Sequence, residues 1–250
     1  MSRGGTLLRV LSWNVHGCVG RNGVRDPDRV AAVLEAVEPD VAALQEIDSR
    51  SARAVARDLF AYFEERFGWR SVVARTISAK DGHYGHIVLS RWPLESLGTL
   101  DLTVPRFEPR MAIFGAVSLP DWQVTIMAVH LGLWWPERRK QYALLKERLA
   151  ALPRPIVALG DFNDFPGRGL AERNLTPPLE GVPALATFPS RFPLLPLDRI
   201  WYSEPLELVS FGALHEAGHL SDHLPLVASL RLPATAQAGA EPPERGLPQS

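Results

Sequence analysis

Apolar residues along this chain recur with two different periods, and the alternation between them outlines the fold. LLRVLSWN at 7–14 reads as a strand. After DPDR, Val30, Val33, Leu34 and Val37 fall at helical spacing, with Asp26 placed as N-cap and Pro27 as first helical residue. DVAALQE at 40–46 is an apolar run short enough for a buried strand, and a second helix is predicted over 51–67, with Val55, Leu59, Tyr62 and Phe63 on one face. Between 69 and 130 the pattern turns extended, in WRSVVAR, HYGHIVLSR, MAIFGAVSL and WQVTIMAVH, separated by Pro and Gly. Pro136 opens a third helix carrying Tyr142, Leu145, Leu149 and Leu152; PIVALGD, DRIWY, LELVSFGAL and HLPLVASLRL follow as strands. Strands outnumber helices by about three to one, and the helices fall where they could cover two sheets packed face to face. No internal repeat is present. Residues 233–250, rich in Pro, Ala and Gly, are expected to be a disordered tail to a domain spanning 1–232.

Composition narrows the class without naming it. The 250 residues are 46% hydrophobic and 22% charged, as in a soluble globular domain, and no stretch approaches a spanning helix. The N-terminal apolar run is broken by Arg9 and Ser12 and has no small-residue cleavage site after it, so a cytoplasmic location is expected. With 27 basic against 28 acidic residues, the chain lacks the basic bias of a general nucleic-acid binder. Cys18 is the only cysteine, which excludes an intramolecular disulfide and a cysteine-based zinc cluster. A nucleophilic Cys18 is a further idea, but nothing in VHGCVGR demands a thiolate.

Candidate chemistry sits at the ends of the apolar runs. SWN ends on Asn14, ALQE on Glu46, IMAVH on His130, and VALGDFN on Asp161 and Asn163; LDRI contributes Asp198, and LSDHLP contributes Asp222 and His223. Strand alternation places Glu46 on the face of Ala42 and Leu44, His130 on that of Val124, Ile126 and Ala128, and Asp161 and Asn163 on one shared face. Singly, each has an ordinary explanation. Glu46 could mark the arrival at solvent, His130 a hydrogen-bonded core residue, Asp161 and Asn163 a turn, and Ser221 to His223 a loop cap. Jointly they supply oxygen ligands for a hard cation, two imidazoles and further carboxylates, the inventory of metal-assisted phosphate ester hydrolysis. Mg²⁺ is the expected ion, with Mn²⁺ as an alternative.

LSWNVHG, PDVAALQEID, GHYGHIVLSRWPL, MAVHLGL, PIVALGDFND, LDRIWY and LSDHLPLVA, in this order, resemble the endonuclease/exonuclease/phosphatase superfamily, from about residue 7 to 232. The resemblance implies an α/β fold, a four-layer α-β-β-α sandwich with the site at one end of two mixed sheets. It makes Glu46 the principal Mg²⁺ ligand, with Asn14 and Asp222 close to the metal. His223 looks like the general base or proton-transfer residue, oriented by Asp198. Asp161 would hold or deprotonate the attacking water, Asn163 would position it, and His130 would donate to a phosphate oxygen; the base is left open between Asp161 and His223. The family often has Asn where this chain has His86, which weakens that position as a phosphate contact. The AP endonucleases lack a His matching His130, so the chain looks closer to the DNase, sphingomyelinase and phosphatase branches.

Phe162 is expected to point into packing, and Asp164 to serve the following turn. Arg110, just before a strand, is the better candidate for a phosphate contact. Arg138, Arg139 and Lys140 read as a solvated helix face, and Trp134 and Trp135 either pack on the third helix or contact a lipid or nucleobase. The expected substrate is a phospholipid or other small phosphodiester, ahead of DNA; an inactive binding module is the remote alternative. No protein partner is implied.

Overall fold

The computed structural model describes residues 5–50, 58–164 and 169–234. In chain order the strands are β1 (Thr6–Asn14), β2 (Val41–Asp48), β3 (Arg70–Ala79), β4 (Gly82–Ser90), β5 (Leu94–Asp101), β6 (Met111–Ser118), β7 (Gln123–His130), β8 (Ile156–Asp161), β9 (Glu180–Gly181), β10 (Asp198–Tyr202), β11 (Glu207–Ala213) and β12 (Leu226–Leu232). The α-helices are α1 (Pro27–Val37), α2 (Leu59–Phe67), α3 (Trp135–Ala150) and α4 (Leu170–Leu175). The strands form two six-stranded mixed sheets, ordered β11-β12-β1-β2-β4-β3 and β5-β6-β7-β8-β10-β9.

Three apolar clusters account for the layering. One fills the space between the sheets, with Leu8 and Val10 of β1 and Val41 and Ala43 of β2 meeting Val124, Ile126 and Ala128 of β7 and Val157 and Leu159 of β8. The alternate residues of the first sheet, among them Leu11, Trp13, Ala42 and Leu44, pack on α1 and α2 through Val30, Leu34, Phe60 and Phe63. The second sheet does the same with α3 and α4, through Tyr142, Leu145, Leu149 and Leu170. The result is the expected α-β-β-α sandwich.

Local details follow the sequence signals in most places. Asp26 accepts from the backbone N–H of Arg29, and Pro27 stands in the first turn, so α1 starts where it was placed. The second helix begins later, at Leu59, capped by Asp58; Val55 and the rest of the expected first half lie outside the described residues. α3 starts at Trp135 with Pro136 just inside, and Leu152 lies past its end yet joins the same cluster. β5, an edge strand with little burial, and the six-residue α4 carry no apolar run long enough to be read from sequence. Of the expected tail, 235–250 lie outside the described residues. Among the described residues, no helix is long and apolar enough to cross a membrane.

Candidate active site

The face each strand turns toward the other sheet is apolar for most of its length and becomes polar at one end. On β1 the series Leu8, Val10 continues into Ser12 and Asn14; on β7, Ala128 is followed by His130; on β8, Leu159 by Asp161. Register aligns these ends. His130 pairs with Asp161 across the parallel β7–β8 ladder, and Asp161 with Asp198 across the antiparallel β8–β10 ladder. Gly160 permits the close approach: its φ is 149° and a Cβ there would lie 2.0 Å from the Val129 carbonyl oxygen.

Two residues reach the site by breaking strand alternation. Glu46 does not share the face of Ala42 and Leu44, as alternation would have it; Ile47 takes that face instead. A register shift between Leu44 and Ile47 on β2, with Glu46 at φ 57°, forms a bulge that turns the carboxylate toward the site. Asn163 lies beyond the end of β8 rather than on its face. It has φ 49°, and its side-chain amide donates to the Leu131 carbonyl at 2.9 Å. Phe162 packs away from the site as expected, its ring stacked on Tyr142; Asp164 accepts from the Ala171 N–H, and the turn that follows it, 165–168, lies outside the described residues.

The polar ends surround a cavity of about 420 Å³. Glu46, His130, Asp161, Asn163, Asp222 and His223 line it, together with Arg110. Asn14 and Asp198 support it from behind. The Asn14 amide donates to Glu46 Oε1 at 2.9 Å and to Asp161 Oδ2 at 3.1 Å, while its own oxygen accepts from the His16 N–H. Asn14 therefore joins two carboxylates across the two sheets through its nitrogen. Fully buried Asp198 accepts from His223 Nδ1 at 2.8 Å and from the Thr187 hydroxyl at 2.6 Å. The SDH segment is tied down by the Ser221 hydroxyl, which donates to the Asn14 carbonyl, and by Trp13 Nε1, which donates to the His223 carbonyl.

His86 is buried on β4 and does not line the cavity, and its Nε2 has no hydrogen-bond partner. Arg110 does line the cavity, but it is ion-paired with Glu108. Arg138 departs from the expected solvated face. It is buried and donates to the carbonyls of Gly132 and Leu133, bracing the turn between β7 and α3. Of the tryptophan pair, Trp135 packs against the α3 cluster under Arg139, whereas Trp134 is exposed.

Sequence reasoning missed three contributors. His16 Nδ1 sits 3.5 Å from Glu46 Oε2 and 3.7 Å from Asp222 Oδ2, so it marks the point where the two carboxylates converge. The HG of WNVHG was the available signal. Tyr84 lies two residues before His86 and lines the cavity. Thr187 holds the buried carboxylate of Asp198, from a segment with no pattern of its own.

The charges on these groups diverge. Burial would raise the Glu46 carboxyl, but hydrogen bonds from His16 and Asn14 and the nearby His130 outweigh it and bring the pKa to about 2. Burial pushes the Asp161 carboxyl up, with Asp198 adding to the rise, against the opposing pull of His223. His130 is held well below its ordinary value by burial and by Arg110, so its imidazole is neutral near pH 7. His223 goes the other way: burial would lower it, yet Asp198, with help from Asp161 and Asp222, raises it. Burial raises Cys18 to about 12, so the thiolate a nucleophile needs does not form at neutral pH.

The donor set fits a hard cation. Glu46 and Asp222 are partly exposed oxygen donors converging on one point, and a Mg²⁺ ion that keeps several waters needs no more protein ligands than one or two such carboxylates. Asp161, Asp198 and His223 also form a buried group that could hold a metal ion, their donor atoms all within 4.8 Å. In that group, however, His223 Nδ1 and Asp198 Oδ2 already bond each other, which suits a proton network. A second cavity, of about 410 Å³, lies beside Tyr202 at the other end of β10 and has no imidazole in its lining.

A carboxylate–imidazole centre stands at the shared end of the two packed sheets. The chain belongs to the endonuclease/exonuclease/phosphatase family, whose model matches residues 11–223. It is 36% identical over 168 residues to the uncharacterized protein YbhP of Escherichia coli strain K12, an alignment covering 61% of this chain. The chain spans 64% of the length of that curated relative. The fold matches an endonuclease/exonuclease/phosphatase from Beutenbergia cavernae, with TM-score 0.74 and 20% identity over 91% of this chain and 72% of that one. It also matches D. rerio TDP2 in complex with a single-strand DNA product, with TM-score 0.69 and 18% identity over 90% of this chain and 99% of that one.

Proposed function

We propose that the protein is a Mg²⁺-dependent phosphodiesterase acting on a small or lipid phosphodiester. The observation that carries this reading is the convergence of Glu46 and Asp222 beside Asp161, His130 and His223 around one open cavity. A cation bound at the two carboxylates would offset phosphate charge and acidify a bound water. Asp161, with its pKa raised toward neutrality, takes the proton of the attacking water. Neutral His130 donates to a non-bridging phosphate oxygen as charge develops there. His223, kept protonated by Asp198, supplies positive charge and a proton on the leaving-group side. Asn163, fixed by the Leu131 carbonyl, positions the water and the phosphate. The cations lining the cavity itself are Arg50 and Arg110, ion-paired with Asp48 and Glu108.

The test is turnover of bis-p-nitrophenyl phosphate, phospholipids, inositol phosphates and nicked plasmid, each with Mg²⁺ and with EDTA. Mg²⁺-dependent release from the soluble diester and a phospholipid is expected. Turnover of DNA alone would move the substrate to a polynucleotide, and turnover unchanged by EDTA would remove the metal.

Asp198→Asn adds a check on the His223 assignment. The amide keeps the shape of Asp198 but removes the charge that most raises His223, leaving burial to lower it against Asp161 and Asp222 alone. The limb of the pH–rate profile governed by His223 should therefore move to lower pH, by about 1–3 units. An unmoved limb would remove His223 from the proton transfer.

A further inference from the structure

Half of the large apolar side chains exposed among the described residues lie on three segments that also line the active-site cavity. Leu133 and Trp134, before α3, are 61% and 65% exposed; Phe192 and Leu194 are 67% and 75% exposed; Phe107 is 36% exposed. Each is placed at the mouth by a neighbour in the lining. Leu133 is itself a lining residue, Phe107 adjoins Glu108, and Phe192 and Leu194 lie in the turn between Phe188 and Leu195. That turn is held in shape, since Phe188 and Leu195 form a β-bridge and Leu194 donates to the Phe188 carbonyl. Single exposed apolar residues are ordinary, but a set gathered around one cavity marks a contact surface.

The charges on the same segments have one dominant sign. Arg106, Arg139, Lys140 and Arg191 are exposed; the nearby acids are Glu108, paired with Arg110, and Glu137, which is buried. Arg106 is held at φ 76° at the third position of the turn closed by Phe107 N–H to Val104 C=O, where glycine is usual. Arg191 lies over the Phe192 ring, a cation beside an apolar tip. Aromatic tips with arginines would suit either nucleobases or a lipid interface. The two most exposed leucines decide between them, because an aliphatic side chain gains by entering acyl chains and cannot stack on a base as an aromatic ring does.

We propose that these three segments form a docking surface for an anionic lipid membrane, whose headgroups it presents to the cavity. The hydrolysis of such a headgroup rests on the phosphodiesterase reading above; the docking does not. The experiment is flotation of the full chain with vesicles of phosphatidylcholine alone and of equimolar phosphatidylcholine and phosphatidylglycerol. It is run beside turnover of bis-p-nitrophenyl phosphate. Binding is expected to the anionic vesicles, reduced by salt and weakened at least about tenfold by the combined changes Trp134→Ser, Phe192→Ser and Leu194→Ser. Quenching of tryptophan fluorescence by brominated lipid should fall in Trp134→Ser. Turnover of the soluble diester should be unchanged in the triple variant, which also shows that it folds. Absence of vesicle binding overturns the proposal while leaving the phosphodiesterase reading intact. So do binding that the triple variant retains, and variant-sensitive binding of a single-stranded oligonucleotide, or self-association, without vesicle binding. Vesicle binding with no turnover of any phosphodiester would instead overturn the phosphodiesterase reading and leave the docking surface.

Discussion

Glu46→Gln is expected to lower kcat/KM on a soluble phosphodiester by about 10³-fold, or about 4 kcal/mol of transition-state stabilisation. The substitution keeps the size of the side chain and an oxygen for the Asn14 amide, which donates to Glu46 at 2.9 Å. What it removes is the negative charge that His16, Asn14 and His130 together stabilise so strongly that the carboxyl sits at about 2. Hence the wild-type group is ionised throughout the range in which the enzyme would work, and the loss should be independent of pH near neutrality. The Mg²⁺ concentration for half-maximal rate should rise in parallel, which separates a metal ligand from a residue that only shapes the cavity. The stability effect has a defined sign. With its folded pKa depressed, Glu46 contributes stability that is present above the ordinary carboxyl value of 4.5 and lost as pH falls toward 2. The variant should therefore be less stable than wild type at neutral pH and approach it in acid, as thermal unfolding at the two pH values would show. Full activity in Glu46→Gln at ordinary Mg²⁺ would end the role assigned to this carboxylate.

Glu46 also shows where reading by strand period stops. The polar residues at the ends of β1, β7 and β8 were legible because each continues a regular alternation, so Asn14, His130 and Asp161 face the other sheet as Leu8, Ile126 and Leu159 do. Glu46 and Asn163 reach the same cavity through left-handed backbone, and no count of alternating positions contains that turn. Their residue types pointed to the site while the reasoning from faces did not. Arg138 failed for a different reason. A basic run on a helix is usually solvated, and only the close approach of the Gly132–Leu133 carbonyls turns one of its members inward. His16 and Thr187 act through partners distant in sequence, and pairing of that kind is set by the sandwich as a whole.

The placement of the polar ends explains why one fold can hold so many charges together. Among the described residues Asp161 is ion-paired with no lysine or arginine; its neighbours are the Asn14 amide, the Asn163 backbone N–H at 3.0 Å, His130 Nε2 at 3.6 Å and His223 Nε2 at 3.9 Å. Burial between the sheets strengthens each of these interactions, and it penalises any member left unpaired. Removing one partner therefore acts on the protonation of the others as well as on its own contact.

His223→Ala is expected to lower kcat by about 10²–10⁴-fold, the range for loss of a proton-transfer residue. It should also destabilise the protein by about 1–3 kcal/mol, because Asp198 is fully buried and would lose its imidazole partner. The two effects can be told apart. Alanine leaves a space the size of an imidazole beside the Phe188 ring, whose centre is 4.9 Å from that of His223. Imidazole added in solution should restore part of the rate in His223→Ala and none in Glu46→Gln; equal failure in both would mean that His223 has only a structural part. Asp198 has no surface of its own on the cavity and acts through His223. Adding Asp198→Asn to His223→Ala should therefore cost no further activity, and should recover stability by removing the stranded charge. A further loss of rate in the double variant would show that Asp198 reaches the reaction by a route other than the imidazole.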